Sequence, residues 1–141
     1  MNITAADVNK LRQITGAGMM DCKKALTEAE GDFDAAIDLL RKKGQKVAAN
    51  RGDREATEGV ILAKLADGGK TGVMIALNCE TDFVAKNADF VAVASHILET
   101  AIANKPSSLD DLKALNYTGT DLTIGDKIVE EIGKIGEKIE L

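Results

Sequence analysis

Residues 60–79 read VILAKLADGGKTGVMIALNC, and this stretch decides the fold class. Two short apolar runs, 60–65 and 73–79, flank a segment with two adjacent glycines at 68–69. Glycine adopts the positive φ angles of tight turns, so the pattern predicts an antiparallel β-hairpin. Alternation places these side chains on one face of the second strand: Val73, Ile75, Leu77 and Cys79. A hairpin with helices on one face predicts an α+β layer.

A long helix is predicted after the hairpin, because apolar side chains recur there at helical spacing. Its buried stripe would contain Phe90, Ala94, Ile97, Leu98 and Ala101. A shorter helix capped by Ser108 and a further helix over 124–138 follow. Residues 138–141 are predicted to begin a strand.

Three short helices are predicted before the hairpin. Thr4 caps the first in a capping-box-like start, and Val8, Leu11 and Ile14 recur on its inner face. The glycines at 16 and 18 end this helix, and we expect Asp21 to cap the second. The remaining signals are Asp32, a cap for the third helix, and Gly44, its end. Helices this short are unstable alone, so they must pack as a three-helix bundle over residues 1–45.

A linker is predicted over residues 46–56, where apolar periodicity fades. The charge balance changes in the same region. Residues 1–54 carry ten Lys or Arg and eight Asp or Glu, whereas 55–141 carry eight and fifteen. The expected organisation is a helical domain, a linker and an α+β core over residues 57–141.

Composition narrows the function classes. The 141 residues are 45% apolar with a net charge of −5, so the chain is expected to fold around a real core. An acidic chain with 3% aromatic residues does not favour direct nucleic-acid binding. No apolar run is long enough to span a membrane, and the start of the chain does not resemble a signal peptide. We therefore expect a cytoplasmic protein whose partner is another protein.

Enzyme motifs are weak in this sequence. Residues 69–71 imitate a phosphate loop and residues 16–21 a dinucleotide fingerprint, but each lacks a required glycine and the required neighbouring elements. His96 is the only histidine, and Cys22 and Cys79 lie on apolar faces with no base signalled nearby. The sequence therefore predicts no enzyme activity, no catalytic residue, no metal site and no cofactor.

Two segments are not explained by packing alone. Met19 and Met20 are adjacent, so both cannot face one helical core, and either a protein contact or packing over the core accounts for them. Residues 80–87 lie where a strand passes to a helix. There, Thr81 or Asp82 is a candidate helix cap, and Phe83 would enter the core in the simplest interpretation.

Residues 15–26, TGAGMMDCKKAL, closely resemble the N-terminal signature of the bacterial translation elongation factor Ts family. Residues 78–87, NCETDFVAKN, resemble that family's second signature. The resemblance implies a ubiquitin-associated-like three-helix domain followed by the N-terminal half of an α+β core. It also implies a guanine-nucleotide exchange factor that binds GDP-bound elongation factor Tu and releases its GDP.

The resemblance also implies the site residues. Thr81, Asp82, Phe83 and Val84 would displace Mg²⁺ from elongation factor Tu. Arg12, Met19 and Met20 would contact the same partner. A pure binding module is the alternative, because ubiquitin-associated-like bundles also bind peptides.

Family members continue through a second core subdomain, whereas this sequence ends in residues resembling the strand that leads there. We therefore expect a truncated chain that binds elongation factor Tu weakly and exchanges nucleotide poorly. An uncovered sheet edge near Ile139 leaves self-association open.

Overall fold

The computed structural model describes residues 2–141, which fall into two compact units. The first unit contains the residues up to Arg51 together with Val129–Gly136, and the second contains Gly52–Ile128 together with Glu137–Leu141. In chain order the described elements are α1 (Ala5–Thr15), α2 (Met19–Glu28), α3 (Phe33–Asn50), β1 (Glu58–Ala66), β2 (Thr71–Cys79), α4 (Asp82–Ala85), α5 (Ala88–Asn104), α6 (Leu109–Ala114), α7 (Ile124–Ile135) and β3 (Ile139–Glu140). No helix within residues 2–141 is long and apolar enough to cross a membrane.

Helices α1, α2 and α3 share one apolar core in the first unit. Its buried members are Val8, Leu11, Cys22, Ala25, Leu26 and Ala36. The predicted capping box at the start of α1 is confirmed. The Asp7 amide donates to Thr4 Oγ1 at 3.2 Å, and the Thr4 amide donates to Asp7 Oδ2 at 3.0 Å. Asp32 caps α3 as predicted, since its carboxylate accepts the Ala35 amide at 3.0 Å.

Asp21 does not cap α2, so that prediction is wrong. The helix begins at Met19 with Gly18 as its N-cap, and Asp21 lies inside the first turn. The Asp21 carboxylate instead accepts from Lys43 Nζ at 2.6 Å. Gly18 has no polar side chain to mark the start of the helix, so the sequence pattern favours the nearest acidic residue as the cap.

Helix α3 does not end at Gly44, as predicted, but continues to Asn50. Gly44 is buried, and a Cβ atom there would lie 2.8 Å from the backbone oxygen of Val129 in α7. A Cβ on Gly133 would in turn lie 2.7 Å from the Gly44 Cα. This glycine permits two helix backbones to approach closely. The first residues of the predicted 46–56 linker are consequently helical.

The second unit contains the three-stranded antiparallel sheet, in the order β1-β2-β3 among the described residues. The predicted hairpin is confirmed, because β1 and β2 pair along their whole length. Its turn over residues 67–69 takes positive φ angles throughout. The strand expected near the C-terminus is β3, which pairs Ile139 with Cys79 and Glu140 with Asn78.

Helix α5 packs on the sheet and supplies much of the second unit's core. All of its predicted inward side chains are buried: Phe90, Ala94, Ile97, Leu98 and Ala101. Ser108 caps α6 as predicted, accepting the Asp111 amide at 3.1 Å. The observed class is α+β, as the sequence predicts.

Candidate partner-contact site

The first candidate segment comprises Arg12 in α1 with Met19 and Met20 in the first turn of α2. Arg12 is exposed, Met19 is 48% exposed and Met20 is 63% exposed. Both methionine side chains are therefore largely outside the core of the first unit. Of the two alternatives that the sequence leaves open, this exposure favours a protein contact, because the flexible thioether adapts to irregular surfaces.

Ile14 joins the exposed residues, although its spacing predicts an inward position. Its side chain is 56% exposed. Thr15 takes the position one turn beyond Leu11 instead, and its hydroxyl donates to the Leu11 carbonyl at 2.8 Å. Helix α1 ends at Thr15, so its last turn no longer follows the apolar stripe. The signal in the sequence that could have indicated this exposure is the position of Ile14, an apolar residue near the methionine pair.

The turn between α1 and α2 is held by local hydrogen bonds. Gly16 adopts a left-handed conformation with φ of 68°, and its amide donates to the Arg12 carbonyl at 2.7 Å. The Ala17 amide donates to Thr15 Oγ1 at 3.2 Å. Cys22 is buried beneath this turn and its thiol donates to the Ala17 carbonyl at 3.7 Å. These hydrogen bonds thus restrain the backbone that leads into the exposed methionines.

The second candidate segment, residues 81–84, lies in the second unit between β2 and α5. Thr81 is the N-cap of α4, and its hydroxyl oxygen accepts the Val84 amide at 3.4 Å. Phe83 does not enter the core, because 83% of its surface is exposed. The neighbouring Ala85 and Phe90 are buried and anchor this part of the chain. The segment therefore presents one aromatic ring to solvent from a fixed backbone.

Asp82 forms an ion pair within this segment. Its Oδ2 atom lies 2.9 Å from Lys86 Nζ, one helical turn later. The hydrogen bond from Lys86 lowers the pKa of the Asp82 carboxyl below its usual 3.8, and the positive charge acts in the same direction. Asp82 is therefore a carboxylate at neutral pH. Both side chains are at least half exposed, so the pair can open when another charge competes for either partner.

Glu137 contacts the second segment, and no sequence pattern indicates this contact. Its Oε2 atom accepts the amides of Glu80 and Thr81, each at 3.1 Å. Its Oε1 atom accepts the Thr81 hydroxyl at 2.6 Å. These residues are 56 and 57 positions apart in the chain. No local pattern reports a contact at that separation.

Cys79 and His96, whose side-chain types can serve catalysis, have packing and hydrogen-bond partners of a structural kind. Burial raises the pKa of the Cys79 thiol, and the Glu137 charge raises it further. A neutral buried thiol is a poor nucleophile, and Cys79 Sγ donates to the Thr81 carbonyl at 3.2 Å. His96 stacks on Tyr117 with ring centroids 4.2 Å apart. Within residues 2–141 no group of three or more His, Cys, Asp or Glu side chains could hold a metal ion.

Comparisons with known proteins agree with the two signatures. The family model described as Elongation factor TS matches residues 80–141. Elongation factor Ts of Amoebophilus asiaticus is 58% identical over 141 residues, covering all of this chain and 50% of that protein. The protein of the same name from Christiangramia forsetii is 60% identical over 139 residues, covering 99% of this chain and 49% of its own length. That from Bacteroides thetaiotaomicron is 56% identical over 141 residues and is covered to 42%.

The chain thus spans about half the length of the curated relatives that it matches. The match extends along the whole chain, so it spans both candidate segments. On these matches, the chain belongs to the elongation factor Ts family.

Proposed function

We propose that this chain acts in translation elongation as a guanine-nucleotide exchange factor for elongation factor Tu. The observation that carries the proposal is Phe83, an aromatic side chain 83% exposed on a capped helical turn. A large exposed apolar side chain on a rigid backbone is suited to insertion into a partner. Exchange of this kind makes and breaks no covalent bond, so it does not require catalytic residues.

The proposed mechanism assigns different roles to the residues of the second segment. Phe83 inserts as an apolar wedge beside the nucleotide site of elongation factor Tu. Mg²⁺ requires near-ideal octahedral geometry and bridges nucleotide phosphates, so a small displacement of its surroundings weakens both the ion and GDP. Asp82, ionised at neutral pH, disturbs the water shell of the ion. Thr81 and Val84 fix the turn that carries these two side chains.

Burial of the Phe83 side chain in the partner contributes a favourable free energy of a few kcal/mol at most. Complete burial of a Phe side chain contributes about 1.5–3 kcal/mol, and most of this surface is still in water before binding. The capped backbone limits the conformational entropy lost on association. Linkage requires reciprocity, so a factor that weakens GDP binding is itself displaced by GDP.

The first segment is proposed to anchor the chain on elongation factor Tu. Arg12 contributes a charge, and Met19 and Met20 contribute exposed, adaptable apolar surface. In this proposal the helical domain of residues 1–45 docks and the α+β core of residues 57–141 acts on the nucleotide site. The two sets of residues then affect different measured quantities, namely affinity and release rate.

Fluorescent-GDP release from elongation factor Tu tests the proposal. Phe83→Ala is expected to slow the release stimulated by this chain by at least about tenfold, equivalent to about 1.4 kcal/mol. Ile61→Ala is the matched control, because Ile61 is 69% exposed on β1 and lies outside both segments. Stimulated release at the wild-type rate for Phe83→Ala would contradict the wedge assignment.

A binding module without exchange activity is the second candidate. The exposed Ile14, Met19 and Met20 favour it, because they offer an apolar surface independent of Phe83. Capture of elongation factor Tu by this chain without faster GDP release would support this alternative and exclude the exchange proposal.

A further inference from the structure

Two glutamates join the segment that carries Phe83 to the C-terminal residues, because each accepts backbone amides from the other's segment. Glu137 accepts the Glu80 and Thr81 amides at 3.1 Å. In the opposite direction, Glu80 Oε1 accepts the Lys138 amide at 2.7 Å. Each carboxylate therefore binds backbone amide hydrogen at the start of the other's segment. These hydrogen bonds lie next to the Cys79–Ile139 pair and continue the connection between β2 and β3.

Lys138 fixes the C-terminal side of these hydrogen bonds. Its ammonium group donates to the carbonyl oxygens of Gly52 at 2.9 Å and Arg54 at 3.0 Å. Its side chain is only 20% exposed, whereas Glu140 beside it is 55% exposed. Glu137 is thus attached to a backbone held on two sides, and its carboxylate has little freedom to follow Thr81 if that residue moves.

The Thr81 hydroxyl transmits this restraint to α4. A hydroxyl has one proton and two lone pairs. The proton goes to Glu137 Oε1 at 2.6 Å, so a lone pair remains for the Val84 amide. Glu137 therefore sets the orientation of the hydroxyl that caps the helix.

Phe83 depends on the cap because it has few contacts of its own. The residue is 83% exposed, so packing contributes little to the direction of its ring. Helix α4 has four residues, and a helix of that length is unstable without tertiary support. The position of the ring therefore follows from the backbone over residues 80–82, where Glu137 accepts two amides.

We propose that Glu137 is a positioning residue for nucleotide exchange, which holds the Thr81 cap and so orients Phe83 toward the partner. This rests on the proposed exchange function for its activity readout. The geometry on which it depends can be measured in the chain alone.

Amide hydrogen exchange measures that geometry. Glu137→Ala removes all three acceptor contacts, so the Glu80 and Thr81 amides are expected to exchange at least about tenfold faster. Amides inside the β1–β2 ladder keep their protection. Glu137→Gln retains an oxygen that accepts both amides and an NH₂ group that can donate to Thr81 Oγ1, so it restores most of the protection. Unchanged exchange of both amides in Glu137→Ala would overturn the proposal.

Dependence of GDP release on chain concentration then separates positioning from folding. Glu137→Ala is expected to lower the maximal release rate by about tenfold, with the half-saturating concentration changed less than about twofold. Glu137→Gln should recover most of the rate. Glu99→Gln is the matched control, a glutamate on α5 that is 59% exposed and whose ion pair with the exposed Lys64 contributes little. Loss of affinity and rate together, with no recovery in Glu137→Gln, would contradict a positioning role.

Phe83→Ala distinguishes this inference from the function on which it rests. If Phe83→Ala leaves release unchanged, the exchange proposal fails, and amide exchange alone decides whether Glu137 orders the segment. If Phe83→Ala slows release but Glu137→Ala does not, the exchange proposal stands and the positioning role of Glu137 is wrong.

Discussion

Met20 and Leu26 lie on the same helix, α2, and provide a direct test of the difference between a contact residue and a core residue. Met20 is 63% exposed, whereas Leu26 is completely buried. Substitution of each by Ala changes side-chain volume in the same direction at two sites with opposite burial. We expect Met20→Ala to leave the fold intact and weaken partner binding, and Leu26→Ala to destabilise the first unit.

The magnitudes follow from burial. Complete burial of a Met side chain contributes about 1.5–3 kcal/mol, and little more than a third of Met20 is covered. Met20→Ala should therefore lower the free energy of unfolding by about 0.5–1 kcal/mol, and the higher helix propensity of Ala offsets part of this loss. Leu26→Ala creates a cavity in a closed core, which typically costs about 2–5 kcal/mol.

Urea unfolding followed by circular dichroism measures both changes. With a slope of about 2 kcal/mol per molar urea, the midpoint should fall by about 1–2.5 M for Leu26→Ala and by less than about 0.5 M for Met20→Ala. Titration against elongation factor Tu should show about tenfold weaker binding for Met20→Ala. Relative to the folding stability that each substitution removes, Met20→Ala should therefore cost more affinity than Leu26→Ala. A midpoint loss for Met20→Ala as large as that for Leu26→Ala would show that the methionine packs over the core.

Three further outcomes are expected. Gly59→Ala should destabilise the second unit by about 1–3 kcal/mol from its φ of 151° alone, and a Cβ there would lie 2.3 Å from the Leu77 oxygen; thermal unfolding checks this. Cys79 should react with a thiol reagent only when the chain unfolds, because burial shields the thiol and raises its pKa; fast labelling of the native chain would contradict this. Lys86→Met should raise the pKa of Asp82 toward 3.8, as measured by carboxyl NMR titration. Because the folded pKa of Asp82 is lowered, its stabilising effect is present above pH 3.8 and disappears as pH falls through the folded value, and Lys86→Met should weaken that dependence.

The helix boundaries that the sequence predicts correctly are those with local chemical causes. Thr4, Asp32 and Ser108 each accept an amide three residues later, so the cap and the residue that it caps lie within one short window. The hairpin also has a local cause, because its turn lies directly between the two strands that it joins. Patterns of this kind need no knowledge of the rest of the fold.

The errors concern residues whose role depends on another part of the chain. Gly44 resembles a helix terminator, but its missing side chain admits the backbone of Val129, 85 positions later. Asp21 resembles a cap, but its carboxylate pairs with Lys43 from α3. In each case a local rule identified a residue type that tertiary contact uses differently.

The same distinction applies to the candidate site. The signature residues 81–84 are visible in the sequence, and so is the threonine cap. The support beneath them is not visible, because Glu137 is an ordinary glutamate in a charged C-terminal stretch. A side chain such as Phe83, exposed and with little packing, is held only through its backbone. The contacts that fix that backbone therefore matter as much to the proposed function as the signature itself, and here they come from a residue 56 positions after Thr81.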